Sequence, residues 1–326
     1  MSILWCGGEL EDFFNSSGVN IVDVTGYRRT NFSRCSLGIG STCFLLSHPV
    51  TPFTSAWLSF YAYTGISQPS TQIGIGLRNS NSGEWIGIGG GSIAYRMGLY
   101  KWIGTGAAVK LTEESGTSYS YGLKKMDIQV SNYGSNGTVN VWVNGILVIN
   151  YTGNLVASIE TELDQIYILA TGTYFSNINY SEIILADEDT RGMSLKTLTP
   201  DAAGDTNNWN NDYTNINELG FGLYNNVDGI YTESAEQDFQ CNLTGMPPEG
   251  DFDVVAVNGS AYVSDNSGSL DIQLGMKTNG SINLGSTESL DSSKKSINKL
   301  WHTNPITSNA FTPSEIDSLQ GMLRSK

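Results

Sequence analysis

An all-β protein is what this chain predicts, and three observations carry the prediction. Apolar and polar residues alternate with a period of two in many short runs, helical periodicity is scarce, and 37 glycines supply frequent tight turns. At 326 residues the chain is long enough for two domains, each with a core of its own. The charged stretch Asp187-Glu188-Asp189 is the expected boundary. It separates a first domain, 1–187, from a smaller β-sandwich, 188–326, suited to attachment or oligomer contacts.

The clearest segment runs from Met126 to Tyr151. Met126, Ile128 and Val130 alternate with Asp127 and Gln129; after a polar loop, Val139, Val141 and Val143 alternate with Asn140 and Trp142. Asn144-Gly145 then marks a hairpin, because a type I′ turn needs positive φ at both central positions. Ile146 to Tyr151 returns as the partner strand.

Before this meander, Ile3 to Trp5 reads as a strand and Glu9 to Phe14 as a loop. Val19 to Val24 and Cys43 to Leu46 read as strands, with a solvated basic edge at Arg28, Arg29 and Arg34 between them. Ala56 to Tyr63 is apolar on both faces, which places it centrally in a sandwich. In Gln72 to Arg78, Gly74 and Gly76 share a face where a backbone approaches closely or a bulge sits. Asn79 to Gly83 is a turn, Glu84 to Ile88 pairs back, and Gly89-Gly90-Gly91 ends that strand. Leu163 to Leu169 and Tyr174 to Leu185 complete the domain.

In the second domain Asp238 to Leu243, Phe252 to Val257, Ser260 to Ser264, Leu270 to Met276 and Ser281 to Leu284 read as strands. A short terminal helix starts at Thr312-Pro313-Ser314-Glu315. Thr312 is its N-cap, Pro313 its first residue, and Glu315 completes a capping box. Ile316, Leu319 and Leu323 form its apolar stripe.

Charge and cysteine usage narrow the partners. With 17 basic against 32 acidic residues the net charge is −15, which repels nucleic acid and disfavours an anionic membrane surface. No apolar run is long enough to span a bilayer. The first residues lack a basic region and apolar core, so no signal peptide is expected and the chain is made in a cytoplasm. Cys6, Cys35, Cys43 and Cys241 have no metal-type spacing and read as buried free thiols. The only histidines, His48 and His302, sit in no nucleophile motif, which leaves triads and zinc without support.

Aromatic residues cluster at Trp85, Tyr95, Tyr100, Trp102, Tyr119 and Tyr121. Flat rings with polar tips suit the C–H face of a sugar, and neighbouring amides or carboxylates bond its hydroxyls. The same rings fit a sandwich core, the reading that the usual burial of Tyr and Trp favours over ligand contact.

The order of elements resembles the concanavalin A-like jelly roll in its laminin-G-like form. Met126 to Val130, the Val139-Asn140-Val141-Trp142-Val143-Asn144-Gly145 hairpin and the closing Tyr180-Ser181-Glu182-Ile183-Ile184-Leu185 carry that resemblance. A wider one covers nearly the whole chain: the sequence resembles a group of tailed-bacteriophage virion proteins. Its leader is Leu4-Trp5-Cys6-Gly7-Gly8-Glu9 with Phe13. Its middle is Pro200, Ala202-Ala203-Gly204-Asp205-Thr206, Trp209, Tyr213, Ile216, Asn217 and Glu218. Its end is Trp301, Asn304-Pro305, Thr307 and Phe311-Thr312, with Phe311 in place of a tryptophan and Cys6 inside the leader as departures.

The resemblance implies a non-enzymatic structural protein of the tail, near baseplate or fibres, located in the virion. Other tail proteins, copies of itself and a host surface glycan are the implied partners, with no nucleic acid and no membrane insertion. A purely structural adaptor or decoration protein is the alternative. Jelly-roll glycosidases use a Glu-x-Asp-x-x-Glu strand, and the nearest match, Glu162-Leu163-Asp164-Gln165-Ile166-Tyr167, ends in a residue that cannot act as the carboxylic acid. No cofactor is expected. Calcium stays open, because Asp187, Glu188 and Asp189, and Asp201 with Asp205, offer oxygens without an EF-hand loop.

Overall fold

Strands form wherever the period-two pattern is strongest. The computed structural model describes residues 2–7, 12–22, 36–64, 73–103, 108–118, 120–157, 160–171, 178–216, 229–247, 251–265 and 270–326. The chain divides into two compact units, Met1–Leu195 and Lys196–Lys326. The acidic stretch at 187–189 belongs to the first unit. There the Asp187 N–H donates to the Ser2 carbonyl and its carboxylate accepts from the Ser2 N–H at 2.7 Å.

In the first unit β1 (Ile3–Gly7), β2 (Phe13–Val22), β3 (Ser36–Ser47), β4 (Ala56–Thr64), β5 (Ile73–Arg78), β6 (Glu84–Gly90) and β7 (Met97–Ile103) come first. β8 (Val109–Glu113), β9 (Gly122–Ser131), β10 (Gly137–Val143), β11 (Ile146–Gly153), β12 (Gln165–Thr171) and β13 (Ile178–Ala186) follow. Their order is β11-β10-β9-β4-β13-β3-β12-β5-β6-β7-β8, with β1 added to β13 and β2 to β3. All pairings are antiparallel, and the ladder folds over on itself as a jelly-roll β-sandwich.

One layer turns Leu58, Phe60, Met126, Ile128, Val139 and Val141 inward; the other turns Leu45, Ile75, Leu77, Ile86, Ile88, Ile166 and Ile168 inward. All are essentially buried, and Tyr180 meets Phe60 edge-on at 5.6 Å. β4 lies between β9 and β13, the central position expected of a strand apolar on both faces. Asn144 and Gly145 both adopt positive φ, and the meander pairs in the expected register, with Val141 opposite Ile128.

In the second unit β14 (Pro200–Asn207), β15 (Asp238–Leu243), β17 (Asp271–Thr278), β18 (Ser281–Ser289) and β20 (Gln320–Ser325) form a five-stranded sheet, ordered β14-β15-β20-β17-β18. β16 (Val257–Val263) and β19 (Lys295–Trp301) form a ribbon. Met276, Trp301, Phe311, Ile316 and Leu319 make one buried cluster, and Ile272, Leu274 and Ile297 another. The short helix α1 (Pro313–Asp317) has the expected capping box: Thr312 accepts from the Glu315 N–H, and Glu315 accepts from the Thr312 N–H at 2.8 Å.

Four sequence expectations change. Phe13 and Phe14 open β2 rather than closing a loop. Gly89 and Gly90 continue β6. Phe252 to Val257 is not a strand: Val254 makes an isolated bridge to Phe311, and β16 begins at Val257. The terminal helix stops at Asp317, so Leu323 lies on β20, in mid-sheet between β15 and β17. The basic edge at Arg28, Arg29 and Arg34 lies outside the described residues.

Candidate functional site

Aromatic residues occupy three distinct settings in the jelly roll. The first is the face of β12, β5, β6 and β7 that points away from the shared core. Trp85 and Trp102 stack there in parallel, centroids 3.6 Å apart, with Tyr167 edge-on to Trp85 and Tyr100 tilted on Trp102. Glycines make the room. A Cβ at Gly74 would stand 2.9 Å from the Trp85 ring, and one at Gly98 would stand 2.5 Å from the Tyr100 ring. Gly76 lies opposite Gly87, and a side chain at Gly76 would meet the Ile86 carbonyl at 2.1 Å.

The Tyr100 hydroxyl donates to the Gly90 carbonyl at 2.7 Å, and burial pushes its pKa up to about 12. Trp85, Tyr100 and Trp102 are 1%, 0% and 4% exposed, so these three expected glycan contacts are core residues. Each ring is covered by its neighbours, and its flat face is spent on another ring or on glycine backbone.

The second setting is the rim formed by the turn before β7 and the segment before β9. Tyr121 is 59% exposed and meets the partly exposed Tyr95 at 6.0 Å, with the rings tilted by 58°. Tyr95 takes positive φ, 63°, which is costly for an aromatic residue. The neighbouring backbone is tied by carboxylates. Glu113 accepts from the Ser92 N–H, the Ser92 hydroxyl and Lys110 Nζ. Burial works against its charge, but those bonds win and hold its pKa at about 2. Glu114 accepts from the Met97 and Ser118 N–H groups, both at 2.7 Å. Lys124 donates to the Ser118 and Ser120 carbonyls. Tyr119 lies outside the described residues. Of the six expected contacts, Tyr95 and Tyr121 alone are both described and accessible.

The third setting was not singled out from the sequence. On the outer face of β4, β9, β10 and β11, Trp57 and Trp142 stack at 5.1 Å and 18°. The Arg191 guanidinium lies over both rings, 5.2 and 4.8 Å from their centroids, and Asp189 holds it in a two-pronged pair at 2.6–3.0 Å. Beneath them the buried Asp127 accepts from the Ser59 hydroxyl, which also shares a 2.6 Å bond with Thr190. Burial raises the Asp127 pKa against the lowering influence of Ser59. Beside the indoles a ladder of amides crosses the sheet. Asn140 donates to Gln129 at 3.0 Å, and Asn150 donates to Asn140 at 2.6 Å. The signal was present, since Asn140 and Trp142 occupy the polar phase of their strand.

Three of the carboxylates read as catalytic or metal candidates, Asp164, Asp189 and Asp205, have structural partners here. Asp164 accepts from the Ser80 N–H and hydroxyl, closing the turn at 79–83, and Tyr167 stands under Arg78 in a cation–π contact. Asp189 pairs with Arg191 and Asp205 with Lys277. Cys6 and Cys241 are buried free thiols, each raised by burial to about 12.

Residues of the wider resemblance make contacts within their own unit. Trp5 contacts Phe13 at 5.1 Å. Asp205 binds Lys277 and Gln320, and Trp209 Nε1 donates to the Gln237 carbonyl. Asn304 is fully buried and donates to Glu315 at 2.8 Å. Glu218 and Asn217 lie outside the described residues.

The fold and its surfaces define an all-β protein with an N-terminal jelly roll. No family model matches the chain, and no curated protein matches it in sequence. Among solved structures it is similar to the cellulose induced protein Cip1, at 13% identity over 56% of this chain and 92% of that one, TM-score 0.39. It is also similar to an endo-β-1,4-glucuronan lyase from the fungus Trichoderma reesei, at 12% identity over 57% and 96%, TM-score 0.41. A third is the carbohydrate binding module CBM66 from Bacillus subtilis, at 10% identity over 53% and 97%, TM-score 0.32.

Proposed function

We propose that this chain is a structural protein of a phage tail whose jelly roll contacts host surface glycans without catalysis. The observation that supports the glycan reading is the exposed Tyr95–Tyr121 pair on a rim braced by Glu113 and Glu114. Two tilted rings offer apolar faces to sugar C–H groups, and their hydroxyls remain near the ring edges for hydrogen bonds. The tail reading rests on the resemblance at the leader, at Ala202-Ala203-Gly204-Asp205 and at Trp301 to Thr312. Other tail proteins and further copies of the chain are its partners in this reading. No helix among the described residues is long and apolar enough to cross a membrane.

Binding of purified protein to lipopolysaccharide and to a glycan array tests the proposal. Tyr121→Ala is expected to weaken binding at least about tenfold, the equivalent of 1.4 kcal/mol. Unchanged affinity would remove the rim from the account. Depolymerisation of a polysaccharide that is lost in Glu162→Gln would overturn the non-enzymatic part.

A structural adaptor is the second reading. It is favoured by Ile146 and Leu147, which are 70% and 49% exposed at the start of the edge strand β11. Apolar residues on an unpaired edge suit a covered protein contact.

A further inference from the structure

We infer that the outer face of β4, β9, β10 and β11 is a second saccharide-binding surface, taking an extended, uncharged, hydroxyl-rich chain. The register places Trp57, Gln129, Asn140 and Asn150 side by side in one row across four strands. Three inter-strand steps make that row about 14 Å long, the reach of a short oligosaccharide rather than a single ring. Trp142 stands one step along β10 from Asn140, on the same face, and stacks on Trp57.

The chemistry of the row selects the ligand. The ladder is directional, so each amide spends only part of its capacity on its neighbour. Among the described residues, both Nε2 hydrogens of Gln129, the second Nδ2 hydrogen of Asn140 and the Oδ1 of Asn150 remain available. Donors and an acceptor in one line match hydroxyl groups, which both give and take hydrogen bonds. The adjacent row adds the Thr138 and Thr152 hydroxyls, 3.2 Å apart. The half-buried stacked indoles, with the Arg191 guanidinium over both rings, wall the row on one side, and Asp189 neutralises that guanidinium. A strongly anionic polymer is disfavoured by the net charge of −15.

This surface is distinct from the tyrosine rim. Tyr121 immediately precedes β9, and Gln129 lies seven residues beyond Gly122 on that strand, about 23 Å along it.

The experiment titrates the full chain with dextran and mannan, two neutral polysaccharides, following tryptophan emission and affinity together. Asn140→Ala, a change at a partly exposed position, is expected to weaken binding of at least one probe about tenfold or more. Tyr121→Ala should leave the emission change produced by that probe intact. If Tyr121→Ala abolishes binding while Asn140→Ala does not, the second surface is overturned and the tyrosine rim stands. If no probe shifts the emission and Asn140→Ala matches the parent with every probe, the inference fails whatever the rim does. Circular dichroism of Asn140→Ala checks that the sheet persists, and Asn150→Ala repeats the test from the ladder's exposed end.

Discussion

Gly204 shows how much one missing side chain decides. It lies on β14 against β15, where a Cβ would stand 2.6 Å from the Gln240 carbonyl carbon and 2.7 Å from its oxygen. Both are backbone atoms, so neither can rotate away. Gly204→Ala is therefore expected to destabilise by about 1–3 kcal/mol, as overpacking does. Gly192→Ala, with nothing within 4 Å, should stay within about 0.5 kcal/mol. Urea denaturation of the two variants checks the contrast.

Glu113 carries a pH signature. Its pKa is depressed from 4.5 to about 2, so its stabilisation is complete above the unfolded value and fades as pH falls from 4.5 through 2. Glu113→Gln should lower stability at neutral pH and flatten the pH slope in that window. A slope equal to that of the parent would show that the Ser92 and Lys110 bonds do not hold the charge. The aromatic positions were legible as a cluster, but their exposure was not. In a sandwich either face of a strand can be covered, so alternation at Trp85, Tyr100 and Trp102 fixes a face without saying whether solvent reaches it. Gly74 and Gly76 were legible as close-approach positions, and that close approach is what admits the Trp85 ring.

Among elements, turn chemistry was the most readable signal. Asn144-Gly145 specifies the β10–β11 hairpin through its two positive φ values, and Asn279-Gly280 does the same for β17–β18. Three of the missed strands each have a physical reason. β14 is built from Pro, Ala, Gly, Asp, Thr and Asn, and its alternation of exposure rests on small residues rather than apolar ones. β8 is a partly exposed edge. β20 was masked by the three- and four-residue spacing of Ile316, Leu319 and Leu323, which imitates a helix until α1 ends. The segment after β13 is an element of another kind, a strap pinned to the sheet. Lys125 Nζ donates to the Arg191 and Met193 carbonyls at 2.7 Å each, and Thr190 is buried against Ser59. Lys125→Met should release it. Trypsin cleavage after Arg191, an exposed residue, is then expected to accelerate several-fold over the parent, because local opening governs proteolysis. Equal cleavage rates would mean that Thr190 and the Trp57–Trp142 stack hold the strap without the lysine.

At the scale of the whole molecule, the division into Met1–Leu195 and Lys196–Lys326 makes a prediction about folding. The first unit closes its own sandwich core around Leu58, Phe60, Met126, Ile128, Ile166 and Ile168. The second holds the Trp301–Phe311–Ile316 cluster, and its last strand pairs on both sides within its own sheet. Its length is well above the roughly 40 residues below which a chain needs metals or disulfides to fold. Cys6 and Cys241 call for no cross-link, since they lie one in each unit, both buried as free thiols. Fragments 1–195 and 196–326 should therefore each give a β-type circular dichroism spectrum and a single cooperative melt, unchanged by reductant. A fragment 196–326 that binds hydrophobic dye and melts without a transition would show that the two clusters do not suffice for a fold. A reductant-dependent melt of 1–195 would instead point to Cys35 or Cys43 and overturn the free-thiol reading. The glycan proposals concern the first unit alone, so if they hold, 1–195 should reproduce the saccharide affinity of the full chain, and any attachment of the kind proposed above should travel with 196–326.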